Sequence, residues 1–340
     1  MFYINKYENI IKTYQSIFHL DILNILKTIS EDNATPHIIF YGPLGSGKRI
    51  LIKKFLEMLY DSDVNKETDT VYTINGSGNT EKSVTIKQSN YHIVIEPQDN
   101  NFDKFLVQHI VKEYAKKIPL NAFKTQKSYK VVLINNMDKL SYYAQTSLRR
   151  TMEKYSYICR FIMWTHSLSK IIEPIRSRCM CIRVNSPSYD ELFNLLFMIN
   201  FRDKLNLSLY DYTYIINNCD RNIKKTLWLL ELQKYGLIYN NSLKIVINLI
   251  LEDIKNNNID NLRELLYKLI VANINCSDII VLLTKGLCRL NLSIFHTYKI
   301  VEAASLYEYN IVRGRRDIIH MEAFVFAVIN ILSKIKIEYI

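Results

Sequence analysis

A glycine-rich turn between an apolar run and a helical pattern constrains the fold of this chain more than any other stretch. Residues 38–41 are apolar or aromatic, and GPLGSGK follows them directly. Apolar residues then recur at helical spacing through Leu59. This order predicts a strand, a phosphate-binding loop and a helix, because glycines let backbone N–H groups turn toward a phosphate and the helix N-terminus adds positive charge. The expected phosphate contacts are the residues of the loop: Gly42, Pro43, Gly45, Ser46, Gly47 and Lys48.

The residue after the loop departs from the usual phosphate-loop pattern. The stretch matches G-x-x-x-x-G-K-[ST] except at its last place, where Arg49 replaces the hydroxyl residue that normally holds Mg²⁺. A cation cannot ligate a cation. The loop is therefore suited to holding phosphate and poorly suited to holding magnesium.

Composition and charge bound the class of protein. A length of 340 residues suggests two or three domains, and 49% apolar residues are enough to form folded cores. Only 8 glycines and 6 prolines are present, which favours a largely helical chain with few flexible linkers. The net charge of +11 suits a polyanionic partner, nucleic acid first and an acidic membrane surface second.

The cysteines and the apolar runs indicate the compartment. The 6 cysteines are scattered and form no CxxC pair, so we predict neither a metal site nor a disulfide framework. The N-terminus lacks the basic-then-apolar order of a signal peptide, and no uncharged apolar run reaches about 18 residues. We therefore expect a cytosolic or nuclear protein.

The periodicity of the chain changes near Pro187. Before it, short apolar runs alternate with helical stretches, which predicts an α/β fold with a parallel sheet and helices on both faces. The expected strands lie at 38–41, 71–74, 92–95, 129–134, 160–165 and 180–184, with a polar turn between 74 and 92. The expected helices of this part lie around 22–26, after the loop, at 101–117 and from 141 to 155.

After Pro187 the sequence shows only helical periodicity, so an all-α part follows the α/β part. Asn- and Asp-rich turns near 217–222 and 256–260 interrupt this periodicity. We therefore predict an α/β domain at 1–185, a small helical domain at 186–240 and a larger helical domain at 241–340.

The strand at 129–134 ends in amides where a phosphate-loop ATPase would carry carboxylates. In such enzymes an Asp at this place orients the magnesium ion and a following Glu activates the attacking water. Here the two positions are Asn135 and Asn136, and an amide can neither neutralise the ion nor accept a proton from water. Together with Arg49, they predict a site that does not hydrolyse its nucleotide. An alternative stays open, in which Asp138 takes over as the metal ligand.

Basic residues cluster twice after this strand. Arg149 and Arg150 lie on a predicted helix and are interpreted as a solvated face. Arg178 stands just before a strand in a chain that carries a phosphate loop. From such a place an arginine can reach a phosphate on a neighbouring subunit.

Several strings of the sequence closely resemble one family, the small subunits of replication factor C, the eukaryotic sliding-clamp loader. They are GPLGSGKR, DKL at 138–140, the run from AQ at 144–145 to LRRTMEKYS at 148–156, IIEPIRSRC at 171–179 and IIHMEAF at 318–324. The resemblance covers almost the whole chain. Within the family it is strongest to the small subunit whose own ATP site is degenerate, called subunit three in animals and subunit five in budding yeast.

The resemblance implies an AAA+ module, made of a nucleotide-binding α/β domain and a three-helix lid, followed by a helical collar that closes a five-subunit ring. It implies that Gly42 to Lys48 hold a nucleotide that stays bound, ATP, ADP or similar, and it leaves the need for Mg²⁺ in question. It also implies that Arg178, in the Ser-Arg-Cys motif, is an arginine finger acting in trans on the adjacent subunit. The implied partners are the other replication factor C subunits, the sliding clamp and primer-template DNA, in the nucleus.

Some positions depart from the pattern of this family. His166 stands at the first sensor, which is usually Asn, and Lys224 stands at the second sensor, which is usually Arg. Lysine carries the charge of arginine without its forked geometry. The N-terminal adenine-side motif survives only in part at residues 3–9, with Tyr7 as the expected contact. These departures affect the residues that would set nucleotide affinity and adenine specificity.

The expected DNA contacts are sparse. Lys170 falls where related subunits place a lysine that contacts a DNA phosphate. On the stretch at 99–111, where the family contacts the clamp, arginines that other small subunits use against DNA are missing and Lys104 is the nearby cation. We therefore expect a weaker grip on DNA than that of the neighbouring subunits.

Three functions remain as hypotheses. The first is a non-hydrolysing ring subunit that supplies Arg178 in trans. The second is an active ATPase or DNA motor with Asp138 as metal ligand. The third is a scaffold whose nucleotide site stays empty.

Overall fold

The computed structural model describes residues 18–32, 34–60, 62–75, 81–97, 103, 107–116, 127, 129–237, 239, 242–256, 259–272, 274–290, 292–314 and 316–338. The chain divides into two units, Met1–Ile238 and Tyr239–Ile340. Each unit has its own buried core.

A sheet forms the centre of the first unit. Its described strands are β1 (His37–Tyr41), β2 (Thr68–Asn75), β3 (Glu81–Gln88), β4 (His92–Ile95), β5 (Lys130–Ile134), β6 (Cys159–Thr165) and β7 (Cys179–Arg183). They are ordered β2-β3-β4-β5-β6-β1-β7 across the sheet. From β4 to β7 all neighbours are parallel, whereas β3 pairs antiparallel with both β2 and β4. The parallel sheet predicted from the sequence is thus present from β4 to β7, and β2 and β3 add an antiparallel edge.

Helices cover both faces of this sheet, as the alternating pattern predicts. They are α1 (Leu20–Glu31), α2 (Lys48–Tyr60), α3 (Lys112–Lys116), α4 (Tyr142–Lys154) and α5 (Glu173–Arg176), with a π-helical turn at Val107–Val111. Alternate residues of β1 point to opposite faces, so Phe40 packs with Phe55 of α2 and Ile39 packs in the cluster that contains Leu148 of α4. The apolar clusters on the two faces of the sheet hold β1 in place. They therefore also fix the position of the glycine loop that follows β1.

Strand β3 is the element that the sequence pattern misses. The pattern predicts a polar turn between residues 74 and 92, and this prediction is wrong for Glu81–Gln88, which pair with Thr68–Asn75. Among the described side chains of β3, Ile86 is the buried one. An exposed strand near the sheet edge carries little apolar alternation, which is the signal that strand prediction depends on.

Three helices complete the described part of the first unit: α6 (Tyr189–Asp203), α7 (Leu209–Asn218) and α8 (Ile223–Lys234). Each begins at a side chain that accepts a hydrogen bond from the first turn, namely Ser188, Ser208 and Asn222. Such caps satisfy backbone N–H groups that have no partner within the helix. The role of 186–240 as a lid remains a prediction.

The second unit is helical throughout its described residues. Its helices are α9 (Ser242–Asn256), α10 (Ile259–Val271), α11 (Cys276–Cys288), α12 (Ile294–Arg313) and α13 (Asp317–Glu338), and all five contribute to one apolar core. The predicted fold class, an α/β part followed by an all-α part, is confirmed. None of the helices in the described parts of the chain combines the length and apolarity needed to cross a membrane.

Candidate nucleotide site

The glycine loop between β1 and α2 is held in a conformation that only glycine adopts easily. Gly42, Gly45 and Gly47 have φ angles of 153°, 72° and 91°. A Cβ added at Gly42 would lie 2.1 Å from the carbonyl oxygen of Val184, and one at Gly45 would lie 1.9 Å from Oδ1 of Asn222. The loop is thus pressed between the residue after β7 and the residue that caps α8.

Lys48 is the buried cation of the loop. Its Nζ donates to the carbonyl oxygens of Gly42 at 2.8 Å and Pro43 at 2.7 Å. Burial lowers the pKa of Lys48 to about 8, and the negative charge of Asp138 opposes this fall. Because a phosphate offers this ammonium stronger acceptors than neutral carbonyls, the loop is prepared for an anionic ligand.

Arg49 is the next residue of α2 and is exposed. It lines a small cleft together with Asn135 and Trp164. The structure therefore places a guanidinium beside the strand end where a phosphate-loop ATPase would hold its metal ion.

Both hydrogen-bonding groups of the Asn135 amide already have partners. This side chain is buried, its Nδ2 donates to Oε1 of Glu96 at 2.7 Å, and its Oδ1 accepts from Nε1 of Trp164 at 2.7 Å. Asn136 adopts the left-handed conformation, with φ of 47°, ahead of the short turn Met137–Lys139. A magnesium ion requires oxygen ligands that are not already committed, so these residues do not fit such an ion.

Asp138 and His166 both lie within electrostatic reach of Lys48. Oδ1 of Asp138 and Nδ1 of His166 are buried atoms without a hydrogen-bond partner among the described residues. Burial is the main reason that the pKa of His166 is lowered, and the charge of Lys48 lowers it further. The ring of His166 packs edge-on against Trp164, with centroids 5.2 Å apart. The predicted first-sensor residue is therefore brought to the loop.

A cleft of about 710 Å³ opens beside Pro43. It is lined by His19, Leu20, Asp21, Ile22, Pro43, Arg183, Asn185, Ser186, Ser188, Glu191 and Arg221. Nε2 of His19 donates to the carbonyl oxygen of Ser46 at 2.8 Å, so α1 is tied directly to the phosphate loop. The cleft has the size of a typical small-ligand site, and a nucleoside attached to phosphates in the loop can be housed there. Tyr7, the predicted contact on this side, lies outside the described residues.

The start of α8 touches the loop. The backbone N–H of Ile223 donates to the carbonyl oxygen of Gly45 at 3.1 Å. Lys224, the predicted second sensor, follows on the first turn of α8 and is exposed. The structure thus places Lys224 near the loop without burying it.

Arg178 lies at the opposite end of the strands from the loop. β1 and β7 are parallel, with His37 paired to Cys179 and Tyr41 paired to Arg183. Arg178 comes directly before these paired residues and the loop comes directly after them. The length of the strand, about 17 Å, therefore separates Arg178 from the loop. An arginine side chain cannot span that length, so Arg178 does not act on the loop of its own chain.

The guanidinium of Arg178 is held at the amino end of β7 by contacts with three residues, of which the longest joins Nη1 to Oγ of Ser177 at 3.4 Å. Its Nη2 lies 2.8 Å from Oε1 of Glu153 on α4, and its Nη1 donates to the carbonyl oxygen of Pro174 at 2.6 Å. Oε1 of Glu153 also lies 4.0 Å from Nε of Arg149. The pair is partly exposed, so solvent weakens it and a phosphate can compete for the arginine.

Gln145 connects α4 to the segment that leads to Arg178. This side chain is buried, and its Nε2 donates to the carbonyl oxygens of Leu140 at 3.0 Å and Lys170 at 3.1 Å. Its Oε1 accepts from the backbone N–H of Ile172 at 3.0 Å. The Lys170 side chain itself is exposed.

We expect Gln145→Ala to lower the free energy of unfolding by about 2–4 kcal/mol, because it leaves buried backbone groups without partners. Denaturant unfolding of the full chain measures this change. Thr146→Ala is the matched control on the same helix, and we expect it to cost less than about 0.5 kcal/mol. Equal losses for the two variants would contradict a structural role for the three hydrogen bonds of Gln145.

Sequence reasoning misses three residues of the site: His19, Glu96 and Trp164. Glu96 directly follows β4, and β4 pairs with β5 so that Ile95 lies opposite Ile134. The rule that parallel strands meet at their carboxyl ends could have placed Glu96 beside Asn135, had the strand order been known. His19 carries no local signal, since its contact depends on where α1 packs.

Comparison with known proteins agrees with this architecture. Residues 19–188 match the family model described as DNA polymerase III, delta subunit. A protein named as a replication factor C small subunit in Acanthamoeba polyphaga mimivirus is 38% identical over 336 residues, which cover 96% of this chain and 90% of that protein. Replication factor C subunit 5 of Oryza sativa subsp. japonica is 33% identical, with 96% of each chain covered. Replication factor C subunit 3 of Homo sapiens is 30% identical over 91% of this chain and 90% of its own length. The chain therefore belongs to the replication factor C subunits, a family of AAA+ proteins.

Proposed function

We propose that this chain is a non-hydrolysing small subunit of a clamp-loader ring, which holds a nucleotide in its own loop and donates Arg178 to the site of the adjacent subunit. The observation that carries this proposal is the position of Arg178 at the amino end of β7, whereas the loop lies at the carboxyl end of the neighbouring parallel strand β1. An exposed arginine that cannot reach its own site remains available to a phosphate on another chain.

The chemistry of the loop supports binding without hydrolysis. Lys48 and the three glycines form a phosphate cradle, whereas Asn135 is committed to Glu96 and Trp164. No carboxylate stands at Asn135 or Asn136 to orient a metal or to accept a proton from water. The function is therefore that of a structural nucleotide holder, for ATP, ADP or a similar nucleotide.

The second unit supports a role in ring assembly. Helix α12 exposes large apolar or aromatic side chains at Ile294, Phe295, Tyr298, Val301, Leu306, Tyr309 and Val312. Exposed apolar surface of this extent marks contact sites between proteins. We assign α12 to contacts with other replication factor C subunits, in the collar predicted for 241–340.

A basic cleft in the first unit supports contact with a polyanion. It measures about 590 Å³ and is lined by His109, Lys112, Glu113, Ser147, Arg150, Thr151, Lys154 and Tyr155. Arg150, interpreted from sequence as part of a solvated face, thus shares a concave surface with two lysines. With the exposed Lys170, these cations provide the sequence-independent contacts that primer-template DNA requires. The clamp as partner, and the nucleus as location, rest on the family resemblance.

The proposal is tested with the purified full chain. We expect it to bind ADP or ATP in calorimetry and to show no ATP turnover with Mg²⁺, because the carboxylates that hydrolysis needs are missing. Measurable turnover would contradict the proposal. A chain that binds no nucleotide would favour the scaffold with an empty site.

One observation favours the alternative of an active ATPase. Oδ1 of Asp138 is buried near Lys48 without a partner in the described part of the chain, so it is available to a cation. If the full chain turns over ATP and Asp138→Ala abolishes this activity, the rearranged metal site is supported and the non-hydrolysing role is wrong.

Nucleotide affinity should fall as the pH rises through about 8. The pKa of Lys48 is lowered to about 8, so the free chain loses this positive charge above that pH, whereas phosphates bind the charged form. We expect affinity for ADP to be greatest between about pH 7 and pH 8 and to fall by up to about tenfold per pH unit above pH 8. Calorimetric titrations across this range measure the change. Lys48→Arg, which keeps its charge throughout, is the control and should flatten the profile.

A further inference from the structure

Glu96 brings a carboxylate to the nucleotide site from a strand that carries no residue of the phosphate-loop pattern. It directly follows β4, and the pairing of Ile95 with Ile134 sets it beside Asn135. Hydrogen bonds of 2.7 Å link Glu96 to Asn135 and Asn135 to Trp164. Hydrogen bonds thus link three side chains that lie near the carboxyl ends of β4, β5 and β6.

This chain of hydrogen bonds requires an amide at position 135. The Nδ2 group of Asn135 donates to Glu96 while its Oδ1 accepts from Trp164. An aspartate has nearly the same shape but offers only acceptors, so it could pair with Trp164 and would place a second negative charge against Glu96. Two ionised carboxylates at this distance repel each other when no cation lies between them, and the exposure of Glu96 to solvent reduces this cost. Glu96 and Asn135 are therefore a matched pair.

We propose that nucleotide binding at this loop is independent of divalent metal and that Glu96 positions the amide that stands in place of the metal-orienting aspartate. In the metal-free site the carboxylate of Glu96 selects the amide at position 135, because Nδ2 of Asn135 donates to it. The exposed Arg49, which lines the same small cleft as Asn135, supplies positive charge to the phosphates instead. The ligand is then a nucleoside di- or triphosphate free of Mg²⁺. This inference rests on the proposed nucleotide binding, whereas the pairing of Glu96 with Asn135 does not.

The pairing is tested by thermal unfolding of the full chain without nucleotide, for wild type, E96Q, N135D and E96Q/N135D. We expect N135D to melt roughly 3–8 °C lower and E96Q to change the melting temperature by less than about 2 °C. The double variant should recover most of the loss, because the amide introduced by E96Q can donate to the carboxylate introduced by N135D. If N135D is as stable as wild type, or if the two single effects simply add, Glu96 does not select the amide.

The metal independence is tested by calorimetry with ADP, in Mg²⁺ and in EDTA. We expect the wild-type affinity to differ by less than about twofold between the two conditions. R49T/N135D, which restores the hydroxyl and the aspartate of the usual phosphate-loop pattern, should bind ADP about tenfold more tightly with Mg²⁺. R49T, which restores the hydroxyl alone, should show a smaller gain. A wild-type affinity that collapses in EDTA overturns the inference. If no variant binds ADP in either condition, the proposed nucleotide binding fails, while the unfolding cycle still decides the pairing.

Discussion

Replacing Arg178 with alanine in the reconstituted ring should slow ATP hydrolysis at the adjacent subunit's site by about 10³-fold, the effect typical of losing an arginine finger. In the proposed mechanism this guanidinium exchanges Glu153 and Pro174 for the neighbouring phosphate, and alanine removes its charge and both N–H donors. Single-turnover hydrolysis by the complex, with clamp and primer-template DNA present, measures the loss. Nucleotide binding by this chain should be unchanged, since its own loop lies about 17 Å away along the strands.

Two variants control this experiment. Arg178→Lys keeps the charge but loses the fork that binds a phosphate with two N–H groups, so we expect it to restore only part of the rate. Arg202→Ala removes another partly exposed arginine, one that pairs with the adjacent Asp203, and should leave the rate unaffected. If Arg178→Ala leaves hydrolysis stimulated by DNA and clamp at the wild-type rate, the role in trans is wrong.

Replacing Lys48 with alanine should weaken nucleotide binding to this chain by about 10- to 100-fold. The expectation follows from the loss of charge-assisted hydrogen bonds to phosphate, each of which contributes about 1.5–3 kcal/mol. Calorimetry with ADP on the full chain measures the affinity. Because the same Nζ donates to Gly42 and Pro43 in the free loop, part of the effect arises from a loop that is less well ordered.

The control for Lys48→Ala is Lys27→Ala, which removes an exposed lysine from α1. We expect its affinity for ADP to stay within about twofold of wild type. If Lys48→Ala binds ADP as tightly as this control, the nucleotide phosphates do not lie in the loop. The cleft beside Pro43 would then have to be explained by another ligand.

The sequence predicts the loop and its flanking elements because their signals are local. An apolar strand, a glycine turn and a helical pattern lie within one short stretch, and β1 and α2 follow it closely. The run at 129–134 is recognised for the same reason, since β5 is buried along its whole length. Burial on both faces of a central strand produces a continuous apolar run, and this pattern survives without knowledge of the neighbours.

The surroundings of Asn135 could not be predicted in the same way. The sequence shows the loss of two carboxylates, but not that Glu96 and Trp164 already use both hydrogen-bonding groups of the amide. Those contacts depend on the order β4-β5-β6, which sequence periodicity does not encode. The separation of Arg178 from the loop likewise becomes visible only through the register of β1 with β7.

β7 connects the two functional ends of the first unit. Arg178 stands directly before it, and Val184, directly after it, presses its carbonyl oxygen against Gly42. A paired strand of five residues is stiff, so β7 works as a spacer of fixed length between Arg178 at its amino end and the loop near its carboxyl end. Removing one residue would shorten this spacer by about 3.3 Å and turn its alternate side chains to the wrong face of the sheet. In the proposed ring, the length of this single strand therefore sets how far this chain's own loop lies from the arginine that it offers to its neighbour.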